Sequence, residues 1–497
     1  MLAFYFMLYL SILFFSLSFL LPYHFLPLPL FYQNSLIFFA ILFLLGSLKE
    51  IKIDQTSIIM IILTLIIISL EYIINKNFSD SFIYFLITLV FVLIAYVLGY
   101  NYRKKTKEIK KFIFSFLVVC CFLFIVQIIQ FFQINIYFVK EIYSLNTRLY
   151  SNIGQPNILS SIYAIAIFIL MQKNKLLNYV LIFIFVFGIY LAKSRVGYLS
   201  IFLIGLLHLI NAKNIKILLV FESLYPILIL NTIFFINGCI NKNFSSTNRL
   251  ENFSNGRIEI YKDAINLIKD NYLIGYGWES AYKYIPNNNI VFFKSPLYSY
   301  HNIIFDLILS YGVILTSIIV CLILLILFKN IKNNLTIYFA FSPFLLHSFL
   351  EFPYYYWYLL MPFIFMVGYV NKNFFNREVL LVNRNFLLIF ILLFIIFYNI
   401  FYKEYEEISR PYLSAYYGEC SPVSRKYFIF FSDKKKYIDY YCTVIYDKKE
   451  KEKIILETLS PNLLNHYLNT YNFPNNELKK YGCIKYNYSC NNNLKFK

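Results

Sequence analysis

The sequence predicts an all-α polytopic membrane protein with about thirteen transmembrane helices. Three observations carry that prediction. Of 497 residues, 60% are hydrophobic and only 14% are charged, where soluble domains carry roughly 25% charged residues. The mean hydropathy is +0.62. Apolar runs of about 18 residues or more recur along the chain, the length that crosses a bilayer as a helix.

By apolar run the spans fall at approximately 2–21, 31–47, 56–74, 80–99, 112–134, 156–172, 177–192, 197–211, 217–236, 303–328, 335–350, 354–370 and 386–401. The first run has no basic leader and no small-residue cleavage site, so it reads as a retained span rather than a signal peptide. The loop NYRKKTKEIKK at 101–111 is the most basic and is expected on the cytoplasmic side. Alternation from there puts 48–55, 173–176, 212–216, 329–334 and 371–385 inside too, and each carries at least two Lys or Arg, such as Lys49 and Lys52 or Arg377 and Arg384. The N-terminus is then inside and the C-terminus outside. The net charge of +19 reads as orientation, not as a nucleic-acid surface, since no nucleic-acid-binding motif accompanies it.

Two regions follow from this topology. Residues 1–401 form the transmembrane domain, including a large periplasmic loop at 237–301. Residues 402–497 form a periplasmic C-terminal region rich in Lys and Tyr. That region holds Cys420, Cys442, Cys483 and Cys490. In an oxidising compartment four cysteines allow two disulfides, with three pairings open. Cys120, Cys121 and Cys321 fall inside spans and read as small apolar residues.

Polar residues gather on the predicted outer side. Arg148, Asn152, Gln155 and Asn157 open the sixth span. Lys193, Ser194 and Arg195 join the seventh and eighth. Arg249 and Arg257 lie in the large loop. His301 and Asn302 open the tenth span, and His347, Glu351 and Tyr354 to Tyr356 join the eleventh to the twelfth. The chain has only five histidines, and two belong to this set. Polar groups at the membrane face are costly unless they serve a polar site or reach water. Arg offers a planar fork that fits phosphate oxygens and keeps its charge. A His of near-neutral pKa can take a proton from an attacking hydroxyl. The combination suits a pyrophosphate head group outside, with a lipid tail between spans, as in a transferase using a polyprenyl-diphosphate donor.

Each piece also has a plainer reading. Arg148 and Arg195 fit interfacial snorkelling, Pro156 fits the first turn of a helix, and His347 fits a bond to a neighbouring helix. Glu71 and Glu222 lie inside spans, outside the outer cluster, and stay unassigned. No metal-ligand spacing and no Gly-rich phosphate loop emerge, so no cofactor is expected. A transporter would spread charge through the midplane; here the polar residues gather at one face.

The segments RLYSNIGQPNILSS, KSRVGYLS, GRIEIYKDAINLIKDNYLIGYG, YSYHNIIFDLILSYG and LLHSFLEFPYYYWYLLMPFIFMVG resemble the O-antigen ligase and polymerase superfamily of bacterial envelope proteins. The likeness covers about 148–370 and is greatest to the PglL-like protein O-oligosaccharyltransferases, through Gln-Pro-Asn and HSFLEFP. It implies a GT-C-like architecture in the bacterial inner membrane, with the active site on the periplasmic face. It implies metal-independent transfer of a glycan from undecaprenyl diphosphate to an acceptor hydroxyl. In the PglL branch the acceptor is Ser or Thr of a pilin-like or periplasmic protein; in the ligase branch it is lipid A core, and in the polymerase branch another glycan repeat. On this reading His301 accepts or orients the acceptor proton. Arg195 and Arg257 stabilise the departing diphosphate, with Arg148 as a third candidate. Gln155, Asn157 and Asn302 contact the donor, and His347, Glu351 and Tyr355 brace the site or meet the acceptor. The tail 402–497 matches no motif.

Overall fold

The computed structural model describes residues 2–24, 28–75, 79–136, 138–139, 148–172, 175–211, 260–278, 299–371 and 378–416, with 423, 428, 430–431, 434–435 and 438–439 in the tail. The expected span at 217–236, Arg249, Arg257, Glu222 and the four tail cysteines lie outside the described residues.

Helices dominate, and they follow the apolar runs closely. They are α1 (Leu2–Leu20), α2 (Phe31–Gly46), α3 (Gln55–Asn75), α4 (Asp80–Tyr102), α5 (Thr106–Phe131), α6 (Pro156–Met171), α7 (Leu176–Ala192) and α8 (Arg195–Asn211). Then come α9 (residues 260–270), α10 (Ile303–Ser348), α11 (Trp357–Val370) and α12 (Arg384–Tyr416). Among the described residues, four helical stretches are long and apolar enough to cross a membrane: Gln55–Asn75, Phe82–Tyr102, Thr106–Phe131 and Ile303–Ile326. Six apolar helices are shorter, among them Pro156–Met171 and Trp357–Val370. Large apolar side chains such as Leu65, Phe114, Phe122 and Phe202 are exposed, which suits a surface that faces lipid.

α10 is one helical element of 46 residues, which as a straight helix would measure about 69 Å. Its two ends nevertheless meet: the Asn302 side-chain amide donates to the Phe349 carbonyl at 3.0 Å. The element therefore doubles back as two arms, in the places where the sequence predicts the spans 303–328 and 335–350. α4 and α11 pack backbone to backbone, which small residues permit. A Cβ on Gly99 would lie 1.9 Å from the Phe365 carbonyl oxygen, and one on Gly368 would lie 2.1 Å from that of Tyr96.

The expectation of an all-α fold needs one correction. β1 (Glu50–Asp54) and β2 (Glu378–Asn383) form a two-stranded antiparallel sheet, with Ile51 opposite Val382 and Lys52 opposite Leu381. Both strands are too short and too charged to stand out beside the apolar runs. Asn101 pins β1 to the end of α4, exchanging two 2.9 Å hydrogen bonds with the Lys52 backbone. The predicted inner loops 48–55, 101–111 and 371–385 thus meet at one end of the bundle. Of the polar set, Arg148, Gln155, Asn157, Ser194, His347 and Glu351 meet at the other.

α12 runs past residue 401 to Tyr416. Its C-terminal half folds an aromatic patch over α2: Tyr405 stacks on Phe31 with ring centroids 3.7 Å apart, and Phe431 stacks on Phe401.

Candidate functional site

The segment that opens α6 is fastened before it reaches the site. Gln130, at the end of α5, exchanges hydrogen bonds with the Ser151 backbone at 2.8 and 3.1 Å. Asn152 donates to the carbonyls of Leu20 and Phe138, both at 2.8 Å. His24, another histidine at this end, lies 2.9 Å from the Asn152 carbonyl. Asn152 therefore braces backbone. Pro156 then sits in the first turn of α6 with Gln155 as an extended N-cap, as the fixed φ of proline favours.

Gln155 makes no capping hydrogen bond with its side chain. Its amide nitrogen instead donates to Glu351 Oε2 at 3.0 Å, and its oxygen accepts from the Tyr356 hydroxyl. Two residues on, Asn157 Nδ2 donates to Glu351 Oε1 at 2.5 Å. Asn157 Oδ1 accepts from Ser194 Oγ at 2.9 Å and from the Arg148 guanidinium. Arg148 Nε also donates to the Ala192 carbonyl at 3.1 Å, which ties it to the end of α7. His347 Nε2 lies 3.4 Å from Glu351 Oε2, and His347 Nδ1 lies 2.8 Å from Ser161 Oγ. Glu351 is 4% exposed and His347 is 0% exposed.

The sequence placed Glu351 at the edge of the site; the structure puts it in the middle of a buried polar chain. Buried carboxylates need such partners, because the cost of an unpaired one is several kcal/mol. Ser161 and Ser194 enter this chain as well. Ser161 had no signal of its own in the sequence beyond its place one turn after Asn157.

A second carboxyl group organises the neighbourhood of His301. Asp306, buried in the first turn of α10, accepts from Ser299 Oγ at 2.6 Å, from the Tyr300 backbone at 2.8 Å and from the Tyr354 hydroxyl. The His301 backbone N–H donates to Ser299 Oγ at 3.0 Å. His301 itself has φ of 57°, a left-handed conformation uncommon outside glycine and asparagine and often held at functional sites. Its ring lies 5.1 Å from that of Phe352. Asn302 caps α10 by accepting from the Ile304 and Phe305 backbones. Asp306 was missed in the sequence because it sits inside an apolar run. Its signal was there: it is the sole carboxylate between 303 and 328.

The turn from Glu351 to Tyr356 joins the two groups. It supplies Glu351 and Tyr356 to the first, and Phe352 and Tyr354 to the second. Tyr355 points its ring toward Tyr354, Phe352 and Trp278, with centroids 5.2 to 6.0 Å away. Arg195 opens α8 beside Ser194 and is exposed. Among the described residues, no three His, Cys, Asp or Glu side chains come together as a metal-holding group.

Residues 180–320 match the family model of the O-antigen ligases. A curated protein, the ComP-specific O-oligosaccharyltransferase of Acinetobacter baylyi (strain ATCC 33305 / BD413 / ADP1), is 32% identical over 298 residues. The chain is thus similar to the O-antigen ligases over the matched window and to this O-oligosaccharyltransferase over the aligned region. The aligned region takes in 55% of this chain and 53% of the relative, so the chain spans about half the length of the curated protein it matches. The family window contains Ser194, Arg195, Arg257, His301, Asn302 and Asp306. Gln155, Asn157, His347 and Glu351 lie outside it, and the fold brings them to its border.

Proposed function

We propose that the protein is an oligosaccharyltransferase. It moves a glycan from an undecaprenyl-diphosphate donor to Ser or Thr hydroxyls of exported, pilin-like or periplasmic proteins, at the periplasmic face of the bacterial inner membrane. The observation that carries this reading is the Glu351 network. It joins an arginine and two amides from the segment that opens α6 to a histidine at the end of α10 and a carboxyl group in the turn that follows, at the mouth of an apolar bundle. The likeness to a relative named a ComP-specific O-oligosaccharyltransferase supports this reading.

In the proposed reaction the acceptor oxygen bonds to the anomeric carbon as the bond from that carbon to the diphosphate breaks, with inversion. His301 takes the acceptor proton, and the diphosphate leaves with the bonding electron pair. Arg195 and Arg257, with Arg148, offset the charge that grows on the diphosphate. Cations placed in advance at such a position are commonly worth about 3–4 kcal/mol each. Gln155 and Asn157 hold the donor head group, while His347 and Glu351 keep those amides aimed; Asn302, expected to contact a substrate, instead caps α10 beside His301. The ring of Tyr355 lines the path for an acceptor segment, at low entropic cost.

The O-antigen ligase description of the matched family favours a second reading, in which the acceptor is lipid A core. Deleting the gene separates the two. The protein-transfer reading expects glycan to vanish from exported proteins, seen by glycoprotein staining and intact mass, while lipopolysaccharide keeps its O-chain ladder. Loss of the ladder with unchanged glycoproteins would mean a ligase, and shortened chains would mean a polymerase.

A further inference from the structure

Glu71 is 0% exposed near the C-terminal end of α3 and is the single charged residue of that mainly apolar helix. A carboxyl group there is costly unless it is bonded. It accepts from the Trp278 backbone N–H at 2.8 Å and from Asn75 Nδ2 at 2.6 Å. Trp278 lies 207 residues away along the chain, at the end of the arm that begins with α9.

The same arm is stitched to α10. Gly312 has φ of 77°, so the helical ladder of α10 is interrupted there, which only a residue without Cβ accommodates cheaply. The arm takes up the freed backbone groups. Tyr276 N–H donates to the Leu309 carbonyl at 2.7 Å, Gly277 N–H donates to the Ser310 carbonyl at 2.9 Å, and Val313 N–H donates to the Tyr272 carbonyl at 2.8 Å. Irregular backbone at membrane depth is tolerated where protein satisfies it in this way. The indole of Trp278 stacks on Phe85 of α4, with centroids 3.6 Å apart and planes 10° apart, and faces Tyr355 at 6.0 Å.

We propose that Glu71 is a positioning residue: it latches the 260–278 arm against α10 and the 351–356 turn, and so sets the spacing of the transfer site. The arm begins three residues after Arg257, a step beyond the candidate cation. Its helix packs Ile260 and Ala264 against Leu309 and against Tyr300, the residue before His301. The effect on turnover rests on the function proposed above; the latch itself does not.

The chain has two tryptophans, Trp278 and Trp357. In a Trp357→Phe background the emission therefore reports Trp278, which is 8% exposed. Glu71→Leu is expected to raise acrylamide quenching of that emission about threefold or more, as local opening exposes the ring. It should also lower kcat for glycan transfer about tenfold with donor KM little changed, since small misplacements slow chemistry. Glu71→Gln keeps an oxygen for the Trp278 N–H and should recover most of both. If Glu71→Leu does not fold, Gly277→Ala gives the same test. Its Cβ would meet Asn75 Nδ2 at 2.2 Å, at a φ of 83°, and it should raise quenching too. Unchanged quenching in the folded variants overturns the latch. Lower thermal stability with full kcat per folded molecule overturns the positioning role. Wild-type protein that transfers no glycan while the variants show the quenching rise would sustain the latch and sink the proposed function.

Discussion

Asp54 and Glu351 lie at opposite ends of the helical bundle, and each is almost wholly buried. Their partners differ in kind. Asp54 accepts from the Ser57 backbone and hydroxyl at 2.9 and 2.5 Å, and from the Tyr96 hydroxyl at 2.9 Å. Asn371 closes that group by donating to the Tyr96 hydroxyl at 2.5 Å and to Thr56 at 3.2 Å. These partners are neutral, and the bond to Ser57 is an ordinary helix cap. Glu351 gathers Gln155, Asn157 and His347, and reaches the Arg148 charge through Asn157. Nothing in helix capping requires those groups: Gln155 occupies an N-cap position and leaves the cap unbonded. Burial of a carboxyl group alone therefore does not mark a site. Partners that can carry a positive charge, here His347 and, through Asn157, Arg148, do; an amide alone does not, since Asn371 also donates to Asp54, at 3.4 Å.

That comparison can be broken by exchanging only charge at each end. Glu351→Gln keeps the shape of the side chain and presents an amide where Gln155 and Asn157 need an acceptor. Transfer is expected to fall about 100-fold or more, because the two amides proposed to bind the donor lose their aim. Asp54→Asn should leave turnover per folded molecule within about twofold, since its network holds backbone and tyrosine far from the reaction. Equal losses of turnover in the two variants would erase the distinction.

A smaller effect sharpens the other side. Asp54→Ala removes a cap and leaves the Tyr96 and Asn371 groups short of an acceptor. It should cost about 2–3 kcal/mol of stability, read as a lower melting temperature in detergent with activity kept in the surviving fraction. A melting temperature equal to wild type would mean that the Asp54 group does not hold its end together.

Much of this architecture was legible in the sequence. Apolar run length marks the helices to within a few residues, as at 156–172 against Pro156–Met171 and 177–192 against Leu176–Ala192. Charge alternation brought 48–55, 101–111 and 371–385 to one side, and the sheet and Asn101 join those loops. The polar set was visible because each member stands at the edge of an apolar run. The hierarchy within it was not. Glu351 becomes central only when segments nearly two hundred residues apart converge, and Asp306 is masked by its apolar neighbours. The sheet was missed for a related reason: a five-residue and a six-residue strand far apart along the chain carry almost no local periodicity. The break at Gly312 belongs to the same class, since its cause is a partner segment rather than its own surroundings.

The most direct test of the account is transfer by the purified protein. Wild type and His301→Ala would be given undecaprenyl-diphosphate-linked glycan and an exported acceptor protein bearing Ser and Thr, with the acceptor followed by intact mass. The account predicts that wild type adds the glycan mass to the acceptor. It also predicts that His301→Ala, at equal abundance and with donor binding retained, is slower by roughly 10²–10⁴-fold, the usual contribution of a positioned base. Folded wild type that binds donor yet leaves the acceptor mass unchanged, or His301→Ala turning over at the wild-type rate, would contradict it.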